Sequence, residues 1–361
     1  DLAPGDVLIS NDPYAISGHL LDITVVTPVF DQRTLLGYVA SICHAVDMGG
    51  VGFSVRAQSN YEEGLYLPYL KLYEAGVPVQ SVFKIIEANV RAPQEVLGDL
   101  GAQVSGNQVA ARGLLQLLSD FPGLTVAELS HQIITRSESA MREAIRDALP
   151  PGEFSHETIS DGPDGPIRLR ATLTVSDGAV HVDFTGSDEA VGQCLNVCLP
   201  YTHAYTTYTI KAALAPDVPN NEGVIRTITV SAPDNCVVNA RPPVPTQARH
   251  VLGHMVAETV LGALTGTLPE RVLAESATPL WILSAQSSGS GADKPFSYTF
   301  FMGGGMGASA RLDGLSATIF PGGVRGTPVE VVETQSPIRF LQKELRPDSG
   351  GPGTHRGGLG Q

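Results

Sequence analysis

Two short runs of potential metal ligands lie near the start of the chain. The first is Gly18-His19-Leu20-Leu21-Asp22, and the second is His44-Ala45-Val46-Asp47. Both contain the spacing His-x-x-Asp. Imidazole nitrogens and carboxylate oxygens together suit zinc, manganese or iron. We therefore interpret His19, Asp22 and His44 as the candidate ligands of a divalent metal ion.

A predicted β-hairpin brings these two runs together. The segments 23–30 and 35–43 are rich in apolar and β-branched residues, and the four residues between them, Asp31-Gln32-Arg33-Thr34, have the composition of a turn. The first run precedes the first predicted strand, and the second run follows the second strand. We therefore expect the two runs to meet at the open end of the hairpin.

The register of this hairpin decides which side chains face each other. If Phe30 pairs with Leu36, Asp22 faces His44 on the same side of the sheet, with Cβ atoms about 4.5–5.5 Å apart. A register shorter by one residue places Cys43 opposite Asp22 instead. The histidine three residues before Asp22 follows a glycine and can fold back toward the pair. Three protein ligands leave a coordination position open for water or substrate, which is typical of catalytic metal sites.

The same residues also have simpler interpretations. Histidine and aspartate near strand ends are often turn caps or exposed surface residues. Asp47 has four interpretations: a fourth ligand, a hydrogen-bond partner of a ligand histidine, a general base, or a cap before Met48-Gly49-Gly50. His250 and His254 lie four residues apart on a predicted helix. We interpret that helix as buried packing because the glutamate of a zinc-protease motif is missing.

The rest of the chain changes from a β pattern to a helical pattern and back. Residues 93–149 have a helical period that is interrupted at Phe121-Pro122-Gly123, which predicts a helical hairpin. Beyond it, apolar and polar residues alternate on both sides of Asp177-Gly178, which predicts a second β-hairpin. Further helices are predicted near 201–214 and 247–264, and further strands near 224–230 and 296–302.

This order of elements favours an α+β fold, with mixed β-hairpins and sheets and a central helical hairpin, over a doubly wound sheet. We predict three regions. Residues 1–90 form a β-rich region that contains the metal site, residues 91–152 form the helical hairpin, and residues 153–361 form a mixed α/β region that continues beyond the chain end. Because the chain starts with Asp1 and ends in a glycine-rich run, we expect it to be part of a longer subunit.

The composition narrows the classes of partner. Charged residues make up 17% of the 361 residues, below the usual level of about 25%, which favours a large buried fraction or a face covered by a partner. The net charge is −14, and no basic run stands out, which argues against binding to nucleic acid or to an anionic membrane. Neither a signal peptide nor an apolar run of ~18 residues is present, so we expect a cytoplasmic protein.

Several runs resemble the hydantoinase B/oxoprolinase family. In the first 50 residues they are Asn11-Asp12-Pro13-Tyr14, Gly18-His19-Leu20-Leu21-Asp22, Thr27-Pro28-Val29-Phe30 and His44-Ala45-Val46-Asp47-Met48-Gly49-Gly50. Later matches are Glu63-Gly64-Leu65, Asn89-Val90-Arg91-Ala92-Pro93, Gly98-Asp99-Leu100, Gly303-Gly304-Gly305, Thr327-Pro328-Val329-Glu330 and Leu345-Arg346-Pro347-Asp348-Ser349-Gly350-Gly351. Because they follow one order along nearly the whole chain, they are more specific together than any single motif.

The resemblance implies the B-type subunit of an ATP-dependent hydrolase of cyclic amides such as hydantoins, 5-oxoproline or lactams. In relatives, residues that match His19, Asp22 and His44 hold a divalent ion, expected to be zinc or manganese, with iron as an alternative. Asp47 and Glu63 are the predicted catalytic residues, as an orienting group or base. ATP is expected on an A-type partner subunit, since this chain has no phosphate-binding loop of the Gly-Lys-Ser/Thr type.

Two other functions fit the same motifs. The first is a subunit of an ATP-dependent ketone carboxylase, of the acetone or acetophenone type. The second is a non-catalytic scaffold in which the metal only pins the hairpin. The motifs leave open the substrate, the identity of the metal, its full ligand set and the stoichiometry of the complex.

Overall fold

The computed structural model describes residues 1–278, 280–287 and 296–361. The strands are β1 Val7–Ser10, β2 Asp22–Asp31, β3 Thr34–His44, β4 Leu70–Glu74, β5 Val77–Pro78, β6 Gly152–Ser160, β7 Ile167–Ser176, β8 Ala179–Asp183, β9 Ile228–Ser231, β10 Trp281–Ser287 and β11 Phe296–Met302. The helices are α1 Asn60–Glu63, α2 Gln80–Asn89, α3 Pro93–Asp120, α4 Val126–Ala148, α5 Leu199–Leu214, α6 Glu222–Ile225, α7 His250–Leu264 and α8 Val329–Gln335. Helices and several small sheets are mixed along the chain, which confirms the predicted α+β class.

The first sheet carries both predicted ligand runs. Its strand order is β3-β2-β1-β4-β5, and each neighbouring pair is antiparallel. Along β2, Ile23 and Val25 point into a buried apolar cluster that also contains residues of α2 and α3. The amide side chains of Gln103 and Asn107 on α3 donate hydrogen bonds to the carbonyls of Ile23 and Val25. Helix α3 is therefore fixed to the strand that positions Asp22.

Both predicted registers occur in the β2–β3 hairpin. Next to the turn, Phe30 pairs with Leu35, as in the shorter register. The register then shifts between Phe30 and Val29, so that Val29 pairs with Gly37 and the rest of the hairpin follows the longer register. A β-bulge of this kind adds one residue to one strand. As a result, Asp22 faces His44 at the open end of the hairpin.

A second sheet forms the larger core. Its order is β6-β7-β8-β9, and β7 and β8 form the predicted hairpin around Asp177-Gly178. Both turn residues have positive φ, 50° and 70°, as a tight two-residue hairpin turn requires. The strand predicted near 224–230 is shorter and begins later, at Ile228. The Asn221 side chain accepts a hydrogen bond from the Gly223 amide and caps the short helix α6, which occupies the first part of that segment.

The two long helices α3 and α4 connect the two cores. Buried residues of α3 (Val96, Leu100 and Val104) lie in the first apolar cluster, whereas Met141 and Ile145 of α4 lie in the second. The five-residue connection between the helices contains the predicted break at Phe121-Pro122-Gly123. A helix of the length of α3 is about 42 Å long, and its second half extends past the sheet. The apolar residues predicted on that half are therefore exposed or half-buried.

Helix α7 lies in the second core and is buried over most of its length. The predicted helices near 201–214 and 247–264 correspond to α5 and α7. The cysteines are free, and Cys194, Cys198 and Cys236 are buried. Within the described ranges, no helix combines the length and apolar character needed to cross a membrane. The division of the chain at residues 90 and 152 stays a prediction.

Candidate metal centre

The three predicted ligands meet at the open end of the first hairpin. Asp22 is the first residue of β2 and His44 is the last residue of β3. Asp22 Oδ1 lies 2.9 Å from His19 Nε2 and 3.0 Å from His44 Nδ1. One potential ligand atom from each residue lies within 4.8 Å of the other two, and no other group of this kind occurs in the described part of the chain. The structure thus places together the three residues that the sequence predicted.

The loop before β2 holds His19 in position. Leu20 and Leu21 are buried, and the Asn11 side chain donates a hydrogen bond of 2.7 Å to the Leu20 carbonyl. Gly18 has a φ of +92°, a conformation that side chains other than glycine rarely adopt. The sharp turn at Gly18 directs His19 back toward β2, as its position after a glycine predicted.

The chemistry of the cluster fits a metal ion. His19 Nε2 is buried and makes no hydrogen bond in the described structure, although Asp22 Oδ1 is only 2.9 Å away. Two ligand atoms that point toward a common third position, rather than toward each other, have this relation. A buried polar atom without a partner is costly unless an ion or water satisfies it. The donor set of two imidazoles and one carboxylate suits zinc, manganese or iron.

The protonation states also fit metal binding. Burial and the positive charge of Arg249 lower the pKa of His19 to about 4, so its imidazole is neutral at neutral pH. Burial alone would raise the pKa of Asp22, but hydrogen bonds with His19 and His44 and the charge of Arg249 hold it far below its usual range. Metal ligands must be deprotonated. At neutral pH, the buried histidine and the carboxylate therefore need to release no proton to bind an ion.

Arg249, which the sequence did not single out, lies directly behind the cluster. Its Nη2 donates to Asp22 Oδ2 at 3.0 Å, and its Nη1 lies 2.7 Å from His19 Nδ1. The arginine is separated from Asp22 by 227 residues in sequence. Arginine belongs to no metal-ligand motif, so no spacing signal could have identified it.

The predicted catalytic residue Asp47 bonds to the turn that follows β3. Its Oδ1 accepts hydrogen bonds from the Gly49 amide at 3.1 Å and from Arg91 Nη1 at 2.9 Å, and its Oδ2 accepts from the Arg91 amide. This is the geometry of a cap before Met48-Gly49-Gly50, one of the four interpretations of this residue. A catalytic role of Asp47 stays a prediction.

The other predicted catalytic residue, Glu63, is buried on α1. Its Oε1 accepts hydrogen bonds from the amides of Thr246 at 2.7 Å and Gln247 at 2.6 Å. Its Oε2 is buried and has no hydrogen-bond partner among the described residues. Burial raises the pKa of Glu63 to about 7, against the opposing effect of the two amides. Glu63 thus anchors the segment before α7, and its catalytic role stays a prediction.

The raised pKa of Glu63 predicts a pH dependence of stability. In the unfolded chain its carboxyl titrates near 4.5, so between pH 4.5 and about 7 the folded state binds more protons. The free energy of unfolding should then fall as the pH rises through this window. Glu63→Gln should reduce this loss by about 2–3 kcal/mol, measured by urea unfolding at pH 5 and pH 8.

The exposed neighbour Glu62 provides a matched control for this prediction. Glu62→Gln should leave the pH dependence of the unfolding free energy as in the wild type. Equal pH dependence in Glu63→Gln and Glu62→Gln would contradict the prediction.

Aromatic rings form a wall beside the cluster. The Phe53 ring centroid lies 6.4 Å from that of His19 and 6.2 Å from that of His44, and it stacks on His250 at 6.0 Å. Burial lowers the pKa of His250 to about 3 and that of His254 to about 4, so both are neutral at neutral pH. His254 is buried, in agreement with the packed helix that the sequence predicted.

The chain resembles known proteins over its whole length. Residues 1–361 match the hydantoinase B/oxoprolinase family. The chain is 32% identical over 376 aligned residues to the B-type subunit of a putative D-/L-hydantoinase from Pseudomonas sp. (strain NS671), an alignment that covers 99% of this chain and 63% of that protein.

Two solved structures share the fold. The ATP-dependent caprolactamase of Pseudomonas jessenii superposes with a TM-score of 0.89 and 26% identity, over 99% of this chain and 64% of that chain. A nucleotide-free acetone carboxylase also superposes with a TM-score of 0.89, at 18% identity, over 98% of this chain and 50% of that chain. The second likeness shows the fold alone.

The α+β architecture and the open His-Asp-His cluster define a protein with a candidate site for a divalent ion. The chain belongs to the hydantoinase B/oxoprolinase family, which confirms the resemblance found in the sequence. It spans less than two thirds of the length of the relatives it matches. Several of these relatives are subunits of larger enzymes, as their names state.

Proposed function

We propose that this chain is part of the B-type subunit of an ATP-dependent hydrolase that opens cyclic amides. The observation that carries the proposal is the cluster of His19, Asp22 and His44, in which a buried imidazole nitrogen lacks a hydrogen-bond partner among the described residues. The family membership and the names of the hydantoinase and caprolactamase relatives support the substrate class.

His19, Asp22 and His44 would hold the ion. When bound, a divalent ion would supply a water molecule of lowered pKa at this site. Asp22 contributes a negative charge that the surrounding hydrogen bonds maintain, and His19 contributes a neutral nitrogen on the buried side. The side chain of His44 is 53% exposed, so the cluster opens to solvent on that side. A substrate would approach from there, with the rings of Phe53 and His250 limiting access of water on the opposite side.

The partner A-type subunit would bind ATP and phosphorylate the amide oxygen, which makes the ring carbon a better target for water. This division of labour is consistent with relatives whose names describe an ATP-dependent enzyme or one subunit of a hydantoinase. We place the complex in the cytoplasm and expect zinc or manganese, with iron as the alternative. The iron-dependent oxygenases usually space their ligands as H-x-D, whereas this chain has H-x-x-D.

Asp47 and Glu63 would act mainly through position. Asp47 ties the turn after His44 to Arg91, and Glu63 ties α1 to the segment that carries Arg249. We propose that both carboxylates keep the ligand-bearing segments in place, and that a direct contact with substrate is the alternative role for Asp47.

A substrate panel tests the proposal. The purified complex should consume ATP when hydantoin, 5-oxoproline or a lactam is added, and the corresponding ring-opened product should form. ATP consumption only with acetone and bicarbonate would assign the chain to the ketone carboxylases, whose fold it shares. Absence of ATP consumption with every substrate, together with a closed tetrahedral metal shell, would favour the scaffold.

A further inference from the structure

The buried guanidinium of Arg249 contacts two of the three candidate ligands from behind. Its Nη2 lies 3.0 Å from Asp22 Oδ2 and its Nη1 lies 2.7 Å from His19 Nδ1. Its Nε donates to the carbonyl of Ser17 at 2.5 Å. The side chain is 11% exposed, and its guanidinium carbon lies 5.0 Å from the centre of the Tyr201 ring. Every nitrogen of this cation is therefore directed to a specific acceptor or ligand residue.

The chain holds Arg249 in this position from two sides. On one side, a Cβ atom at Gly18 would lie 2.4 Å from Arg249 Cδ, so only glycine leaves room for the arginine next to His19. On the other side, Glu63 holds the amides of Thr246 and Gln247, which precede Arg249 by three and two residues. Both contacts restrict where the guanidinium can lie.

The contact with Arg249 divides the two oxygens of Asp22 between different tasks. Oδ2 is held by Arg249 Nη2, whereas Oδ1 lies about equally far from His19 Nε2 and His44 Nδ1. A carboxylate whose second oxygen is held in this way presents one oxygen to an ion. Without the arginine, Asp22 is free to rotate and to bind through both oxygens.

His19 Nδ1 has two neighbours that require opposite roles of it. Arg249 Nη1 is a donor at 2.7 Å, and the carbonyl of Gln247 is an acceptor at 3.4 Å. A neutral imidazole that ligates an ion through Nε2 carries its proton on Nδ1, so Nδ1 must then donate. In the ion-bound site, Nδ1 therefore donates to the Gln247 carbonyl, and Arg249 retains its bond to Asp22.

We propose that Arg249 is a positioning residue for the metal ligands: it restrains Asp22 to one-oxygen coordination and leaves His19 Nδ1 to the carbonyl of Gln247 when the ion binds. This inference rests on the metal site of the proposed function. Groups that hold metal ligands in place typically change metal affinity by about ten- to a hundredfold when they are removed.

The test compares metal affinity in the purified complex, by competition with a chelator, for the wild type, Arg249→Met and Arg249→Lys. We expect Arg249→Met to weaken binding of Zn²⁺ or Mn²⁺ about ten- to a hundredfold. Arg249→Lys should also weaken it, because one ammonium group cannot reproduce the planar fork of a guanidinium. Arg311→Met removes an arginine from an exposed ion pair with Glu270 and is the matched control, with wild-type affinity expected.

A spectroscopic readout separates positioning from a general loss of structure. In the Co²⁺-substituted complex, Arg249→Met should reduce the visible absorption intensity, since a second oxygen from Asp22 raises the coordination number. If Arg249→Met does not assemble, Arg249→Lys, which keeps a charge in the buried slot, carries the test.

Unchanged or tighter metal binding in Arg249→Met, or wild-type affinity and spectrum in Arg249→Lys, would overturn the inference while leaving the proposed function standing. Absence of metal binding in the wild type would overturn both. The two failures are therefore distinguishable.

Discussion

Replacing His19 and His44 together by alanine is expected to lower ATP-dependent ring opening by about a thousandfold or more. The double substitution leaves Asp22 as the single remaining member of the ligand cluster, which is too few to retain an ion at a catalytic site. A metal-bound water contributes several kcal/mol to catalysis, and each ~1.4 kcal/mol corresponds to a factor of ten in rate. The measurement is product formation by the purified complex with saturating ATP.

A control pair of histidines shows whether the loss is specific. His131 is exposed on α4 and His181 is exposed on β8, where it contacts Thr229 and Ser231. The double variant of His131 and His181 to alanine should retain wild-type activity. Full ATP-dependent activity in the variant lacking His19 and His44 would contradict the proposed role of the cluster.

Asp22→Ala is expected to destabilise the metal-free protein by about 3–5 kcal/mol. The side chains of Asp22 and Arg249 are 14% and 11% exposed, so the pair is largely removed from water. Removing the carboxylate leaves the guanidinium buried without its counter-charge, and this is the costly way to break such a pair. The free energy of unfolding in urea, measured with a chelator present, gives the value directly.

A second substitution tests the cause of this destabilisation. The double variant Asp22→Ala, Arg249→Met removes both charges and should recover a large part of the lost stability, because no uncompensated charge remains. If the double variant is less stable than Asp22→Ala by the full cost of Arg249→Met alone, the two residues are not coupled. The ion pair would then not be the cause of the loss.

The hairpin and its ligands could be predicted because their signals are local. Apolar and β-branched residues on both sides of Asp31-Gln32-Arg33-Thr34 define the strands, and their register places Asp22 opposite His44. The β-bulge between Val29 and Phe30 could not be predicted, because it depends on how the turn and the sheet twist together. Both registers considered from the sequence are present, one on each side of the bulge.

The surroundings of the cluster could not be predicted because they depend on tertiary packing. Arg249 reaches Asp22 and His19 from the segment before α7, far away in sequence. Similarly, the partners of Glu63 are backbone amides of Thr246 and Gln247, which have no sequence signature. The family resemblance identified Glu63 as a residue of interest, but only the structure shows what its carboxylate contacts.

The long helices show a limit of periodicity. The apolar stripes of α3 and α4 correctly predicted two helices and the break between them. They did not indicate that buried residues of α3 join the first core and those of α4 join the second. Sequence periodicity identifies which face of a helix is apolar, whereas the neighbouring elements decide how much of that face is buried.

Elemental analysis of the purified complex tests the central claim, a divalent ion held by His19, Asp22 and His44, most directly. We predict close to one divalent ion per copy of this chain, zinc or manganese first, and loss of that ion in the variant lacking His19 and His44. The control variant lacking His131 and His181 should keep the ion. A wild-type complex without a stoichiometric ion, or an ion that remains after removal of His19 and His44, would contradict this claim.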